Sequence, residues 1–107
     1  MIYLASPYSH PDLNIMHQRY VQTMKHTAKL LFQGKHVFSP IVHCHELARW
    51  FNLPTEYNFW LEYNQHMLAR ADELLVLCLE GWSESKGVAG EIEFARVLNI
   101  PVEYLDA

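Results

Sequence analysis

The sequence predicts an α/β fold in which a parallel sheet of about four or five strands carries helices on both faces. Short apolar runs alternate with longer amphipathic segments along the chain, which is the order of elements in repeated βαβ units. The run ELLVLCL at 73–79 is almost continuously apolar, as expected of a strand that is covered on both faces. These two observations indicate parallel strands joined by crossing helices.

Length and composition point to a single domain spanning 1–107, because half of the 107 residues are hydrophobic and no linker or repeat divides them. The net charge of −4, with histidine counted as neutral, does not favour binding to a nucleic-acid polymer or to an anionic membrane. Cys44 and Cys78 match neither a zinc spacing nor a redox pair. Neither a signal peptide nor a membrane-spanning run is apparent, so we expect a cytoplasmic protein.

The first predicted elements are a central strand at 2–6, a long helix at 12–33 that ends at Gly34, and a second strand at 36–40. The predicted buried face of the helix carries Met16, Tyr20, Met24, Ala28 and Leu31. Arg19 lies one step from this face. For its side chain we favour a solvent-directed position over one that reaches the loop after the first strand.

Two further helices are predicted at 43–51 and 55–71, separated by a turn at Pro54. The predicted apolar face of the second helix carries Trp60, Leu61, Met67, Leu68 and Ala71. Asn64 interrupts this face, and a buried amide needs hydrogen-bond partners. Asn64 therefore either bonds a neighbouring loop or lines a cavity.

The middle of the chain is rich in histidine and aromatic residues. His43, Cys44 and His45 do not form a convincing metal site, since adjacent positions diverge on a helix and a third ligand is missing. We expect neither a metal nor a cofactor. The aromatic residues leave two interpretations open: His43, Trp50 or Phe51 forms a wall for a planar base, or these side chains pack in the core or against another subunit.

The segment SKGVAGEIEFAR at 85–96 resembles a phosphate- and sugar-binding loop that runs into a helix. Ser85 is a natural N-cap, while Gly87 and Gly90 are expected to loosen the backbone where the helix begins. A last strand is predicted at 102–105.

Helical spacing predicts that Glu91 faces inward and that Glu93 faces solvent. The predicted inward face carries Val88, Glu91, Phe94, Ala95 and Leu98. A carboxylate among apolar neighbours is costly unless it is hydrogen-bonded or functional, so Glu91 is the first candidate for chemistry. The alternative is a buried glutamate that caps its own helix.

The predicted order of strands and helices also locates a binding cleft. In parallel sheets of this kind, ligands bind beyond the carboxyl ends of the strands. The segments 3–9, 39–43 and 81–87 should therefore converge on one cleft, with Glu91 at its floor. Within the first two segments, the candidate substrate-binding residues are Ser6, Tyr8, Ser39 and His43.

Four stretches of the chain resemble the nucleoside 2-deoxyribosyltransferases and the related deoxynucleoside 5′-monophosphate N-glycosidases. They are IYLASPY, ADELLVLCLEGW, SKGVAGEIEFA and NIPVEYL, and the most specific part is the pattern S-x-G-x-x-x-E. The resemblance implies a small Rossmann-like (flavodoxin-like) subunit that forms a homodimer or larger homo-oligomer. It also implies cleavage of the bond between a base and C1′ of deoxyribose, with a small nucleoside or nucleotide as ligand.

The resemblance assigns roles to three residues. Glu91 matches the nucleophile, Tyr3 matches a tyrosine close to it, and Ser85 matches a serine that binds the 5′ end of the nucleotide. Gly87 would add a backbone donor beside Ser85. We accordingly expect hydrolysis or transfer through a covalent glycosyl-glutamate intermediate.

Two departures from the family pattern bear on this expectation. Asn64 stands where the glycosidases usually carry an aspartate, and an amide can bind a base but cannot take a proton from it. As a catalytic candidate, Asn64 is expected either to bind the base or to act with Glu62 or a water as a weakened proton relay. The first loop, at 7–10, lacks the arginine or glycines of the monophosphate enzymes. The alternatives are therefore a catalytically weakened nucleotide-binding module, or a structural subunit whose aromatic segment 50–60 contacts a partner.

Overall fold

The computed structural model describes residues 1–107, which form four strands, four α-helices and one short 3₁₀ turn. The elements in chain order are β1 (Ile2–Ala5), α1 (Leu13–Phe32), β2 (Val37–Phe38), α2 (Pro40–Phe51), α3 (Tyr57–Leu68), β3 (Glu73–Cys78), the 3₁₀ turn (Trp82–Glu84), α4 (Lys86–Val97) and β4 (Val102–Asp106). No helix is both long enough and apolar enough to cross a membrane.

The four strands form one parallel sheet in the order β2-β1-β3-β4. The first strand is central, as predicted, and its Tyr3 pairs with Phe38 on one side and Leu74 on the other. The chain leaves β1 towards β2 on one side and later returns to β3 on the other. The position between the carboxyl ends of β1 and β3 is therefore the switch point, where sheets of this type bind ligands.

Helices cover both faces of the sheet, which confirms the predicted α/β architecture. Alternate strand residues point to opposite faces, so each face has its own core. One core joins side chains of β1 and β3 to Leu68 of α3 and to Val88 and Ala95 of α4. The other core joins Leu4 and residues of β3 to Leu30 of α1.

The buried face of α1 differs from the predicted one. Its buried residues are Met16, Tyr20, Thr23, Thr27 and Leu30. The prediction that Met24, Ala28 and Leu31 are buried was wrong. Thr23 and Thr27 can be buried because each hydroxyl donates to the carbonyl four residues earlier, at 2.8 and 2.7 Å. A pattern read from apolar residues alone does not include such threonines.

The boundaries of β2, α2 and α3 also differ from the predicted ones. The side-chain oxygen of Ser39 accepts a hydrogen bond from the N–H of Val42 at 3.1 Å, and Pro40 occupies the first helical position. These residues start α2 three positions earlier than predicted and shorten β2 to two residues. The following helix, α3, covers 57–68 instead of 55–71.

Candidate functional site

A cavity of about 630 Å³ opens at the carboxyl edge of the sheet. Its walls come from the loop after β1, the start of α2, the segment before and within α3, the loop after β3, and the first turns of α4. Six of the predicted site residues line it: Ser6, Tyr8, Asn64, Ser85, Gly87 and Glu91. The structure thus brings together residues from the two ends of the chain.

The most unusual group in this cavity is the carboxyl group of Glu91. Its side chain lies on α4 and is only 8% exposed, as the helical spacing predicted. Tyr3, which is fully buried in β1, donates a hydrogen bond from its hydroxyl to Oε2 of Glu91. The alternative role for Glu91, a cap of its own helix, is filled by Ser85, whose oxygen accepts from the N–H of Val88 at 3.2 Å.

The environment of this pair shifts both pKa values upward. Burial raises the pKa of Glu91 to about 7, and the hydrogen bond from Tyr3 opposes part of that rise. Burial, followed by the charge of Glu91, raises the pKa of Tyr3 far above its usual range, so Tyr3 stays a hydrogen-bond donor. Glu91 therefore titrates close to neutral pH, which is typical of carboxyl groups used in chemistry.

Tyr57 packs across the first turns of α4. It was not among the site residues predicted from the sequence. A Cβ atom at Gly90 would lie 2.6 Å from the hydroxyl oxygen of Tyr57, and one at Gly87 would lie 3.2 Å from its ring. Both glycines lie inside α4, and neither has a positive φ. Both glycines make room for Tyr57, a role that the sequence did not indicate. Burial and the charge of Glu91 raise the pKa of Tyr57.

Arg19 reaches the cavity from α1. Its guanidinium donates to the carbonyls of Tyr8 and Ser9, at 3.4 and 3.1 Å, and to that of Glu80 at 3.5 Å. The solvent-directed position favoured from the sequence was wrong, because carbonyls from the loops after β1 and β3 converge on this side chain. Gly81 permits the approach, since a Cβ there would lie 2.6 Å from Nη2 of Arg19.

Charged groups of both signs surround the cavity. Arg19 and Lys86 are its cations, and Arg19 forms no ion pair with a carboxylate. Glu56, Glu80 and Glu84 add carboxyl groups to that of Glu91. The first backbone N–H groups of α4 have no acceptor within the helix, so they can also bind an anion.

Asn64 lines the cavity. The sequence left open whether it would do so or would bond a neighbouring loop. Its Oδ1 atom is buried and has no hydrogen-bond partner. Leaving such a group unpaired costs about 1–3 kcal/mol. A ligand that offers a hydrogen-bond donor to this amide would recover part of that cost.

Ser39 and His43 do not line the cavity, contrary to expectation. The side-chain oxygen of Ser39 is used to cap α2. His43 points away from the cavity and is exposed, with its ring stacked on Tyr63 at a centroid distance of 5.5 Å. The helical rotation that starts at Pro40 instead turns Ile41 and Cys44 towards the cavity.

The aromatic wall that the sequence suggested for a planar base is not formed by the residues named for it. Trp50 and Phe51 are 73% and 75% exposed at the end of α2 and do not line the cavity. Tyr57 and Trp60 line it instead, and the indole N–H of Trp60 donates to the carbonyl of Pro54 at 2.9 Å. No group of three or more His, Cys, Asp or Glu side chains is arranged to hold a metal ion.

The fold and cavity define a Rossmann-like α/β protein with a candidate site at the switch point of its sheet. The chain belongs to the family described as "Domain of unknown function (DUF1937)", whose model matches residues 1–106. No curated protein matches the chain. The family match spans every element from β1 to β4, so the cavity is built entirely within the family domain.

Proposed function

We propose that the protein cleaves the N-glycosidic bond of a 2′-deoxynucleoside or its 5′-monophosphate, by hydrolysis or transfer, through a covalent glycosyl-Glu91 intermediate. The observation that carries this proposal is the buried Tyr3–Glu91 pair at the cavity, with the pKa of Glu91 raised to about 7. The resemblance to nucleoside 2-deoxyribosyltransferases and deoxynucleoside 5′-monophosphate N-glycosidases supports it, since Glu91 and Tyr3 match residues of those enzymes.

The reaction needs an ionised carboxylate held against C1′ of the sugar. In the first step a Glu91 oxygen bonds to C1′, the bond from C1′ to the base breaks, and its electron pair leaves with the base. Tyr3 holds the carboxylate in one orientation through its hydrogen bond. In the second step, water or another base attacks C1′ and releases Glu91. A pKa near 7 leaves a substantial ionised fraction at neutral pH.

The cavity is large enough for a nucleotide, because ligand sites usually enclose about 300–1,000 Å³. We assign the base to the region of Tyr57, Trp60 and Asn64, where two aromatic rings and an unpaired amide oxygen line the cavity. The 5′ end of the sugar would lie at Ser85 and Gly87, in the first turn of α4.

A 5′-phosphate would find groups that attract it and groups that repel it. Arg19 supplies the cation that the first loop lacks, and it lies with Lys86 in the cavity wall. Glu80 and Glu84 lie in the same wall and oppose a dianion. Comparing each nucleoside with its monophosphate will therefore show which set of charges dominates.

A second candidate function is nucleotide binding without efficient cleavage, and Asn64 is the observation that favours it. An amide at this position cannot exchange a proton with the base. We expect Asn64→Asp to place a second carboxyl group in the cavity with Glu91, to raise one of the two pKa values, and to accelerate cleavage. If this variant is folded and its activity is unchanged, the argument from a missing proton donor is wrong.

We also propose that the protein forms a homodimer, on the basis of the resemblance and of the exposed Trp50 and Phe51. The same surface is the basis for the third alternative, a structural subunit. Sedimentation of the wild type and of Phe51→Glu would test the surface, since a charged residue there should shift a dimer towards monomer.

The proposed activity is tested by incubating purified protein with each common 2′-deoxynucleoside and its 5′-monophosphate and measuring base release by chromatography. We expect release from at least one of these compounds. Thermal stabilisation by a nucleotide that is not cleaved would favour the binding module. The absence of both release and stabilisation would favour the structural subunit.

A further inference from the structure

A chain of three side chains, Tyr8, His45 and His17, leads from the cavity to a second cavity of about 690 Å³. The hydroxyl oxygen of Tyr8 lies 2.7 Å from Nδ1 of His45. The other ring nitrogen of His45, Nε2, lies 3.4 Å from Nδ1 of His17. Tyr8 lines both cavities, whereas the two histidines line only the second.

The imidazole of His45 is held firmly in this chain. It is only 8% exposed, and the ring of Tyr20 stacks on it at a centroid distance of 4.0 Å and an interplanar angle of 20°. His17, at the outer end, is exposed to solvent. A ring with both nitrogens engaged can accept a proton at one nitrogen while it donates from the other, which is how histidine shuttles protons.

The surroundings of His45 and Tyr8 favour the neutral form of each group. Burial lowers the pKa of His45; Glu46 opposes this shift, and His17 and Arg49 add to it. Burial also raises the pKa of Tyr8 to about 12. Tyr8 can therefore hold its proton until the base takes it, and His45 can pass on a proton without staying charged.

The proposed reaction requires a proton donor for the departing base. Two tyrosines, Tyr8 and Tyr57, line the cavity, and of the two only the hydroxyl of Tyr8 is hydrogen-bonded to a histidine. The departing base carries an electron pair that must be protonated. Glu91 is occupied as the nucleophile, and the amide of Asn64 cannot give up a proton. A neutral tyrosine hydroxyl in the cavity wall, connected to solvent through two histidines, meets this requirement.

We propose that Tyr8 is the general acid that protonates the departing base, and that His45 and His17 return a proton to Tyr8 from solvent. This inference rests on the proposed function. As the bond from C1′ to the base breaks, the base nitrogen takes the Tyr8 hydroxyl proton. Tyr8 then takes a proton from Nδ1 of His45, Nε2 of His45 takes one from Nδ1 of His17, and His17 takes one from water. When water attacks C1′ in the second step, its proton leaves along the same chain in reverse.

The test compares two substrates that differ in their need for an acid. One is the deoxynucleoside or monophosphate that the wild type cleaves fastest, and the other is 4-nitrophenyl 2-deoxyriboside, whose leaving group needs no proton. We expect Tyr8→Phe to lower kcat for base release by about 100-fold or more, and to lower cleavage of the nitrophenyl compound by less than about threefold. His45→Gln should lower kcat for base release about tenfold with KM unchanged, because glutamine can bond Tyr8 but cannot shuttle a proton.

Tyr63→Phe is the matched control. Tyr63 also contacts a histidine, since its hydroxyl lies 3.1 Å from Nε2 of His43, but this pair lies outside both cavities. The variant should cleave both substrates at the wild-type rate. If Tyr8→Phe slows both substrates equally, or neither, the assignment of Tyr8 is overturned and the proposed function stands. If the wild type cleaves neither substrate, the proposed function fails and the assignment fails with it.

Discussion

Two tyrosines near the start of the chain each bond a buried titratable group on a helix, and the two pairs differ in a way that separates their roles. Tyr3 donates to Glu91 of α4, and Tyr8 bonds His45 of α2. Burial raises the pKa of Glu91 and lowers that of His45, since in each case it disfavours the charged form.

The two pairs differ in the interactions that act with or against the effect of burial on the pKa. The hydrogen bond from Tyr3 favours the carboxylate, so the pKa of Glu91 stops at about 7 and the group can still ionise. Beside His45, the charge of Glu46 opposes the effect of burial, but His17 and Arg49 add to that effect, so the pKa of the imidazole stays below its usual value. One pair is suited to forming a charge at neutral pH, and the other to moving protons without one.

The largest expected effect on the cleavage rate comes from removing the charge of Glu91 in the Tyr3–Glu91 pair. Glu91→Gln should lower cleavage by at least about 1,000-fold, because an amide cannot form the glycosyl intermediate, while the protein remains folded. Glu93→Gln, two positions along the same helix and exposed, should keep wild-type activity. The rates are measured by base release under saturating substrate. Substantial activity in folded Glu91→Gln would exclude the nucleophilic role.

The two pairs should also give stability opposite dependences on pH. Glu91 titrates at 4.5 when unfolded and at about 7 when folded, so the folded protein binds more protons in this window. Its contribution to the free energy of unfolding is full below pH 4.5 and is lost, by on the order of 3 kcal/mol, as the pH rises through 7. His45 has a lowered pKa, so its contribution is present above the unfolded value of 6.5 and is lost as the pH falls.

Urea unfolding between pH 4 and pH 8 measures this contrast. Relative to wild type, Glu91→Gln should gain stability as the pH rises, and His45→Gln should gain it as the pH falls. Glu93→Gln should show neither trend. Parallel curves for wild type and Glu91→Gln would mean that the pKa of Glu91 is not raised in the folded protein.

A smaller effect on the cleavage rate is expected when the hydrogen bond from Tyr3 to Glu91 is removed. Since the Tyr3 hydroxyl lowers the pKa of Glu91, Tyr3→Phe should raise that pKa above its present value of about 7. Cleavage at pH 6 should fall by about 10- to 100-fold, and the loss should be smaller at pH 8, where Glu91 still ionises. The pH profile of kcat/KM checks this. An unshifted profile with uniformly lower rates would indicate only a packing defect.

The smallest expected effect concerns Ser85, which serves the helix that carries Glu91. Ser85→Ala should lower the free energy of unfolding by about 1 kcal/mol, because the N–H of Val88 loses its side-chain acceptor. If Ser85 also binds the 5′ end of the substrate, any preference for monophosphate over nucleoside should fall by about 1–3 kcal/mol. An unchanged preference would leave Ser85 with the helix cap as its only role.

Most of the fold could be predicted, because its signals are local. The alternation of strands and helices, the cap at Ser85 and the inward position of Glu91 all depend on residues within one or two turns of each other. The spacing of apolar residues does not identify the whole buried face where polar side chains form hydrogen bonds within their own helix. Thr23 does so and belongs to the buried face of α1, although it is polar.

The site was harder to predict where it depends on contacts between distant segments. Arg19 enters the cavity because carbonyls from two separate loops converge on it, and no short sequence pattern records this. Tyr57 left an indirect signal in the spacing of Gly87 and Gly90, which marks a close approach to one helical face. Ser39 was assigned to substrate although the following Pro40 marks it as a helix cap.

The central claim is that Glu91 bonds covalently to the sugar, and trapping that intermediate tests it most directly. A 2′-deoxy-2′-fluoro analogue of a cleaved substrate should form the glycosyl-enzyme and release it slowly, since fluorine destabilises the oxocarbenium-like transition state. Mass spectrometry of the digested protein should then find the sugar on Glu91. Attachment to Glu93 or another residue, or no adduct in a protein that cleaves the normal substrate, would contradict the account.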